Sequence, residues 1–523
     1  MKKYLLIVIT LSICVQAKSQ TTFHKCFAQN SSDGNLFSIV QTPDGGYATC
    51  GNITDNITSD YDGIIIKTDM NGNTAWIKTR GFIGNNVLFS DLIVTNDGGL
   101  AVTISGGTSP SFQGYAQIIK FDLNGNELWH RVLTNGARSA NSIEKDALGN
   151  LYVLGETLAT TGEYLVKLDS NGNILQQIAF DSPGNTISPI TLLRTSNGDF
   201  LMSSYLPFTG TGQNILLIKT DSNFNFIWNK YFSSNFELYN CFDLKEKPNG
   251  NYLMTGRYVN LPNSINNMLI AEMDTSGSIV WSKQYAGSGN FYLQGNGIEY
   301  ANGTITVAGQ RESPFKTVVL STDNTGNVLW SKKISNGITD YATKIISTTG
   351  GGFTMCGSRT ATGGSVLQLL KITGAGTGTC NDSIYNITSS NLTLSLQPIT
   401  ISLPIINLVD TTTQLIANTL SGLSDACQGV GMDETANNSF FMFFPNPATD
   451  FITIQYNLIS PKETNVSFFN IYGQVVKPLT PKGGLQNAGK QEMKIDIKDL
   501  PQGIYFVKVS VDGKEEVRKV VKY

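Results

Sequence analysis

The segment KTDMNGNTAW, Lys67–Trp76, decides the fold because the chain repeats it about every fifty residues. KFDLNGNELW follows at Lys120–Trp129, and KTDSNFNFIW at Lys219–Trp228. The pattern is an Asp, a Gly three residues later (Phe224 in the third segment) and a Trp after four more. Its Asp falls at spacings of 47 to 53 residues, at Asp69, Asp122, Asp169, Asp221, Asp274 and Asp323, and Thr373 takes that place in a seventh, degenerate copy.

A second glycine signature recurs with the same period. TPDGGYATCG carries Gly45, and the later copies carry Gly98, Gly149, Gly198, Gly250, Gly303 and Gly351. A Gly-containing turn between two runs of β-forming residues is typical of a hairpin. The turn at Asn71-Gly72 predicts another hairpin, since Asn and Gly tolerate a positive φ. Two hairpins per repeat predict a four-stranded antiparallel unit.

The strand before each repeated Asp is apolar on consecutive residues, as in Ile64-Ile65-Ile66. An unbroken apolar run indicates that both faces of a strand are covered. Sheets of four strands, covered on both faces and repeated seven times, are typical of β-propeller blades. We therefore expect an all-β chain with a seven-bladed β-propeller, because β-helix coils are shorter and sandwich domains longer than this repeat.

The first and last repeats are complementary fragments. Phe23 precedes Gly45 by 22 residues, as Trp76 precedes Gly98 by 22, so Phe23 stands in the Trp slot of a repeat that lacks its beginning. The seventh copy lacks the final strand instead and has Cys380 in the Trp place. Residues 22–28 are therefore predicted to be the outer strand of the last blade, which removes an open sheet edge.

The tandem pattern resembles the repeats of quinoprotein-like and kelch-like propellers. That resemblance implies that one slot docks each blade on the next, and the slot contains all five tryptophans: Trp76, Trp129, Trp228, Trp281 and Trp330. Sugar stacking is the alternative role for these indoles. No cofactor is implied. The DMNGN segment is expected to be a turn, although calcium binding by its oxygen atoms is the alternative.

The N-terminus predicts export. Two lysines, an apolar run from Tyr4 to Val15 and small residues predict a signal peptide at 1–19, and no later segment is long and apolar enough to span a membrane.

Six cysteines follow, and Cys380 with Cys427 is the first candidate disulfide. The formal net charge of −3 argues against a nucleic-acid partner. We expect domains at 20–378 (propeller), 379–437 (a Ser/Thr/Asn-rich connector) and 438–523.

The C-terminal segment has three hairpin-like blocks with alternating apolar residues, which predict a small β-sandwich. It resembles the type A C-terminal sorting domain of the type IX secretion system from about Phe440 to Tyr523. The resemblance rests on Pro445, Asn446, Pro447, Asp450, Gly473, Gly503 and Tyr505 in order. It implies the type IX machinery as a partner, and a product that is secreted or held on the outer surface of a Gram-negative bacterium.

No catalytic or metal-binding motif stands out. The only histidines, His24 and His130, share one outer-strand position and are expected to be solvated, which argues against His-metal sites and Ser-His-Asp hydrolysis. Binding residues are expected in the variable loops opposite the hairpin turns. The candidates are Arg257, Arg311 and Arg359, as an anion or carboxylate-sugar site, with Tyr61, Tyr205 and Tyr258. Scattered surface arginines are the alternative.

The sequence thus favours a glycan- or protein-binding adhesion module. Two alternatives stay open: an extracellular polysaccharide hydrolase or lyase, and a structural component of the surface layer. Acidic groups clustered at the centre would favour the enzyme. An aromatic and polar surface there would favour binding.

Overall fold

The computed structural model describes most of the chain from residue 22 onward. The described residues are 22–27, 33–54, 60–81, 85–108, 113–158, 162–208, 212–234, 237–263, 265–287, 292–311, 315–334, 339–361, 364–378, 382–412, 417–418, 424–425, 441–444, 448–458, 462–470, 474–479, 485–486, 489–511 and 514–522. They form strands and turns and no helix, so none of them supplies a helix that could cross a bilayer. The predicted signal peptide, Cys380 and Cys427 lie outside them. The chain divides into two compact units, Met1–Cys427 and Gln428–Tyr523.

The first unit begins with β1 (Phe23–Phe27) and continues with seven antiparallel sheets, numbered here in chain order. Sheet 1 is β2 (Gly34–Gln41), β3 (Tyr47–Thr54), β4 (Tyr61–Thr68) and β5 (Thr74–Arg80); sheet 2 is β6 (Asn85–Val94), β7 (Leu100–Thr108), β8 (Gln113–Phe121) and β9 (Glu127–Thr134); sheet 3 is β10 (Ser142–Lys145), β11 (Leu151–Glu156), β12 (Glu163–Leu168) and β13 (Ile174–Phe180).

The next three sheets have the same order of strands. Sheet 4 is β14 (Ser188–Arg194), β15 (Phe200–Phe208), β16 (Gly212–Thr220) and β17 (Phe226–Phe232); sheet 5 is β18 (Glu237–Glu246), β19 (Tyr252–Asn260), β20 (Ile265–Met273) and β21 (Ile279–Gly287); sheet 6 is β22 (Leu293–Ala301), β23 (Thr304–Arg311), β24 (Lys316–Thr322) and β25 (Val328–Ile334).

Sheet 7 joins the two ends of the repeat region. It contains β26 (Thr339–Ser347), β27 (Phe353–Ala361) and β28 (Gly364–Ile372), and its fourth strand is β1. β1 pairs antiparallel with β28, with Phe23 opposite Lys371. This pairing is the one predicted for residues 22–28.

Hydrophobic cores lie between neighbouring sheets rather than within any one sheet. Ile64, Ile65 and Ile66 are all buried, as expected for a strand covered on both faces. Ile65 packs with residues of sheet 2, whereas Ile64 and Ile66 pack with Leu367 of sheet 7. Similar cores join each consecutive pair of sheets from 2 to 7. Sheet 7 therefore packs on sheet 1 as the other sheets pack on their neighbours.

The tryptophan slot lies against the next sheet. A Cβ added to Gly125 of sheet 2 would lie 3.0 Å from the ring of Trp76, and one added to Gly376 of sheet 7 would lie 2.4 Å from Trp330. Phe23 takes the equivalent place, 2.9 Å from a Cβ on Gly72. The indoles are half-buried rather than fully buried, and Trp76 Nε1 donates to the Leu123 carbonyl at 3.0 Å.

The predicted connector is paired with the sheets. We call residues 382–425 the belt. Its strands add a fifth strand to sheets 6, 5, 4, 2, 1 and 7 in that order, and at sheet 3 an isolated bridge joins Asp181 to Ser402. These strands are β29 (Asp382–Ile384), β30 (Ile387–Asn391), β31 (Leu396–Gln397), β32 (Val409–Thr412), β33 (Ala417–Asn418) and β34 (Ser424–Asp425). The belt thus runs past all seven sheets against the chain direction and ends beside β1.

The belt explains why the histidine prediction is wrong. His24 and His130 are each only 3% exposed, and their Nε2 atoms lie 3.1 Å and 2.8 Å from the side-chain oxygens of Gln368 and Gln117. The strands that carry them would be sheet edges, but β34 and β32 cover those edges. At the same slot in sheet 5, the Ser282 hydroxyl donates to the carbonyl of Leu392 in the belt.

The second unit is also all-β. One sheet contains β35 (Phe441–Phe444), β36 (Phe451–Leu458) and β40 (Gly489–Asp496); the other contains β37 (Lys462–Asn470), β38 (Val475–Leu479), β39 (Leu485–Gln486), β41 (Gly503–Val511) and β42 (Lys514–Lys522). A common core of residues such as Ile454 and Phe468 joins the two sheets. Tyr505 is buried there and its hydroxyl donates to the Pro501 carbonyl at 2.8 Å. The Asp450 carbonyl accepts from Ile497, whereas Pro445, Asn446, Pro447 and Gly473 lie outside the described residues.

Candidate functional site: a cavity lined by all seven sheets

We call the first strand of each sheet (β2, β6, β10, β14, β18, β22 and β26) its innermost strand, and the fourth strand (β1 in sheet 7) its outer strand. A cavity of about 900 Å³ lies where the innermost strands of the seven sheets meet. Every sheet contributes to its wall. One residue from each sheet lines the cavity at an equivalent position, and in six of the seven sheets the same local device places it. The seven residues are Phe37, Ser90, Asn141, Ile190, Phe242, Asn296 and Thr343.

The device is a β-bulge. In six innermost strands the register with the next strand shifts by one residue, and the residue that is skipped is the one that lines the cavity. In sheet 1, for example, Leu36 and Ser38 are paired with β3 while Phe37 is not. In sheet 3, Asn141 stands immediately before the first residue of β10. A bulge re-aims one side chain without ending the strand, and bulges are enriched near active sites.

In three cases the carbonyl group just before a bulge residue accepts a hydrogen bond from a side chain of the preceding sheet. Asn141 Nδ2 donates to the Pro189 carbonyl at 3.1 Å, and Asn296 Nδ2 donates to the Ala342 carbonyl at 2.6 Å. Thr343 Oγ1 donates to the Leu36 carbonyl at 2.5 Å. Each acceptor directly precedes a bulge residue. These bonds satisfy buried carbonyls and hold the cavity-lining strands together.

The cavity wall combines aromatic rings with amides and hydroxyls. Phe37, Phe242, Phe315 and Tyr341 supply the rings, and Gln294, Asn296, Gln310 and Asn141 supply the amides. Gln294 and Gln310 are directly opposite each other on β22 and β23. Such a wall can pack on an apolar face of a ligand while binding polar atoms at its edge.

Glu156 is the only carboxylate among the described residues of the wall. Its Oε2 atom lies 3.5 Å from Arg138 Nη1. Directly across the ladder, Glu163 is 0% exposed and accepts a hydrogen bond from the Ser204 hydroxyl. Burial raises the pKa of Glu163 to about 7, and the charge of Glu156 adds to the rise against the Ser204 hydrogen bond. Glu163 thus sits behind the wall and has no surface toward a ligand.

The predicted tyrosines have three different environments. Tyr205 contacts the cavity residue Phe242 edge-on, with ring centroids 6.2 Å apart. Tyr61 is 38% exposed, away from the cavity wall. Tyr258 is 4% exposed, belongs to the core between sheets 4 and 5, and donates to Glu237 at 2.8 Å. Packing thus covers the ring, and its role in ligand binding stays a prediction.

The three predicted arginines are engaged separately. Arg257 Nε donates to Asn240 at 3.1 Å, the Arg311 guanidinium lies 5.9 Å from the Tyr385 ring in the belt, and Arg359 Nε lies 3.8 Å from Asp340. None of them lines the cavity. The anion site that they were predicted to form stays a prediction.

The repeated Asp residues close turns. Asp122 accepts from the side chain and the backbone of Asn126, and these hydrogen bonds lower its pKa. Gly125, inside the same turn, has φ of +80°.

The cysteines in the described residues, Cys26, Cys50, Cys241 and Cys356, are buried thiols. No group of three potential metal ligands occurs within the described part of the chain.

Comparison with known proteins bears on the two units differently. Residues 442–523 match the family described as a secretion system C-terminal sorting domain. That domain implies delivery by the type IX secretion machinery and a secreted or cell-surface protein of a Bacteroidetes-type bacterium. No curated protein matches the chain.

Solved structures similar to the chain share little sequence with it. A protein of unknown function from Dyadobacter fermentans DSM 18053 is 12% identical over 68% of this chain and 99% of its own, with a TM-score of 0.41. Sqt1 of Chaetomium thermophilum is 10% identical over 68% and 98%, with a TM-score of 0.39. An exo-β-1,3-galactanase of Phanerochaete chrysosporium is 12% identical over 77% and 97%, with a TM-score of 0.28. Because these TM-scores are all below 0.5, the fold described above rests on the strand pairing and packing of this chain itself.

Proposed function

We propose that the first unit is a seven-bladed β-propeller, exported with its sorting domain, that binds an extracellular glycan or protein in the cavity at its centre. The packing of sheet 7 on sheet 1 and the pairing of β1 with β28 support the ring. The contacts of Trp76 and its equivalents with the turn of the next sheet support a docking role for these indoles. We also propose that the signal peptide predicted at 1–19, before Phe23, is removed on export.

The composition of the cavity wall carries the binding function. Aromatic rings, amides and hydroxyls line it, with Glu156 as the one carboxylate in the part that the structure describes. Glycoside hydrolysis by the usual route needs two carboxyl groups on either side of the bond, roughly 5–10 Å apart. Glu163 cannot be the second group because it has no exposed surface. This wall favours binding over the hydrolase alternative.

Titration of the purified full-length protein against glycan and protein arrays tests the proposal. We expect binding that the Phe242→Ala substitution weakens by tenfold or more, because the ring forms part of the wall. Phe226→Ala is the matched control, since Phe226 is 38% exposed on an outer strand. Binding that is equally lost in both variants, or product release without stable binding, would contradict the proposed function.

A further inference from the structure

The charges around the cavity are unevenly distributed. Among the described residues that line the cavity there is no lysine or arginine, and Glu156 is the one carboxylate. One to three residues beyond the bulges, the same innermost strands carry a layer of charged side chains: Asp91, Glu144, Asp243, Lys245, Glu299 and Lys344. Four carboxyl groups thus share the layer with two ammonium groups.

Both ammonium groups of the layer are already paired. Lys344 Nζ lies 2.6 Å from Asp243 Oδ1, and Lys245 Nζ lies 2.8 Å from Glu299 Oε1. A paired lysine attracts a further anion weakly because its carboxylate partner repels that anion at nearly the same distance.

The other two carboxyl groups, Asp91 and Glu144, form no close ion pair among the described residues, although both interact at longer range with the Lys344 ammonium. Asp91 accepts from the hydroxyls of Ser38 and Ser142 at 2.7 Å and 2.8 Å. Burial and the nearby Asp91 charge raise the pKa of Glu144 to about 7. With four carboxyl groups and two paired ammonium groups, the described part of this layer is neutral to negative, so an anionic ligand would meet more negative than positive charge there.

The polar groups of sheet 6 suit uncharged hydroxyls. Gln294 Nε2 donates to Asn296 Oδ1 at 2.8 Å, and Asn296 in turn donates to Ala342, so the orientation of both amides is fixed. This leaves the Gln294 carbonyl as an acceptor beside the Gln310 amide, which offers both donors and an acceptor. Phe315, at the start of the next strand, adds an apolar surface for the carbon face of a sugar ring.

We infer that the cavity selects an uncharged saccharide over its acidic counterpart, with Gln310 as a specificity-determining residue. This inference rests on the proposed binding function. On this inference, sugars that carry a carboxylate do not bind in the cavity. The predicted site at the three arginines would then be a separate surface.

Matched oligosaccharide pairs test the selection. Hexamers of mannose, galactose and glucose are titrated into the full-length protein beside the corresponding hexuronate hexamers at low ionic strength. We expect at least one neutral hexamer to bind, and its hexuronate to bind ten or more times more weakly. Gln310→Ala is expected to weaken neutral binding at least fivefold, whereas Gln176→Ala on the outer strand leaves it unchanged. Glu156→Gln is expected to narrow the difference in affinity between the neutral hexamer and its hexuronate.

The outcomes separate the two proposals. A hexuronate that binds as tightly as its neutral partner, or more tightly, overturns the charge selection and leaves a glycan-binding function in place. Failure of every hexamer to bind, neutral or acidic, overturns the saccharide selection, and if the arrays described above also show no ligand, the proposed binding function fails with it. A loss of binding in Gln176→Ala equal to that in Gln310→Ala overturns the assignment of Gln310.

Discussion

Thr343 and Leu36 are 307 positions apart in the chain, yet the Thr343 hydroxyl donates to the Leu36 carbonyl at 2.5 Å. The bond joins sheet 7 to sheet 1 in the same way that Asn141 joins sheet 3 to sheet 4. Leu36 is buried and directly precedes the bulge residue Phe37, so the hydroxyl supplies its carbonyl with a donor from the neighbouring sheet.

Thr343→Val should therefore destabilise the first unit. The substitution keeps the shape of the side chain but leaves a buried carbonyl without its donor, which costs about 1–3 kcal/mol. Thr304→Val is the control, because Thr304 binds the Ala301 carbonyl within one half-buried turn, where water can replace it. Urea unfolding measures both free energies, and equal losses would contradict a special role for the bond between sheets 7 and 1.

Gly376→Ala should be more harmful than Gly303→Ala. The two glycines have φ of +73° and +78°, so the backbone strain of an alanine is similar, about 1 kcal/mol. A Cβ at Gly376 also meets the Trp330 ring at 2.4 Å, whereas a Cβ at Gly303 meets nothing within 4 Å. Overpacking typically adds 1–3 kcal/mol. Thermal unfolding measures both variants. Equal melting temperatures would contradict a close contact between the Trp330 ring and Gly376.

Stability should fall as the pH rises, because of Glu163. Its pKa is raised from 4.5 to about 7 on folding, so its stabilising contribution is complete below pH 4.5 and is lost as the pH rises to 7. A shift of this size corresponds to roughly 3 kcal/mol. Glu163→Gln should therefore stabilise the first unit at pH 8 and have little effect at pH 4.5. Denaturant unfolding at both values checks this, and a pH-independent effect of the substitution would contradict it.

Removal of the belt should cause association. A chain that ends at residue 378 exposes the outer strand of each sheet, and unpaired edges promote pairing with other chains. It also loses Tyr385 and Leu408, which are buried in the cores between sheets. Light scattering should show oligomers and a lower melting temperature for this chain, while a chain that ends at Cys427 stays monomeric. Identical behaviour of the two chains would show that the belt is dispensable.

Much of the architecture was predictable because it is periodic. The Asp turn, the hairpin Gly and the consecutive apolar strands each recur seven times or nearly so, and Phe23 at 22 residues before Gly45 indicated the pairing of β1 with β28. The belt was not predictable in this way, since its two- to five-residue strands pair through backbone atoms and carry no repeated side chain. That gap led directly to the wrong expectation for His24 and His130.

The centre was considered as a site, but the residues that line the cavity were missed for a related reason. Its residues share no side-chain type, from Phe37 to Asn296, so no motif marks them. Their position is nevertheless regular: six of the seven stand eight residues before the hairpin Gly, as Phe37 does before Gly45, and Asn296 stands seven before Gly303. The offset becomes informative only once the bulge is known, because an unbroken strand would aim these side chains differently.

The location of the ligand is the central claim, and amide hydrogen exchange measures it without prior choice of a residue. The full-length protein is compared with and without the tightest-binding neutral hexamer. We predict that slowed exchange is confined to the innermost strands at the bulges, such as residues 36–38 of β2 and 295–297 of β22. Protection confined to the outer strands, the belt or the Asp turns, with exchange at the bulges unchanged, would contradict it.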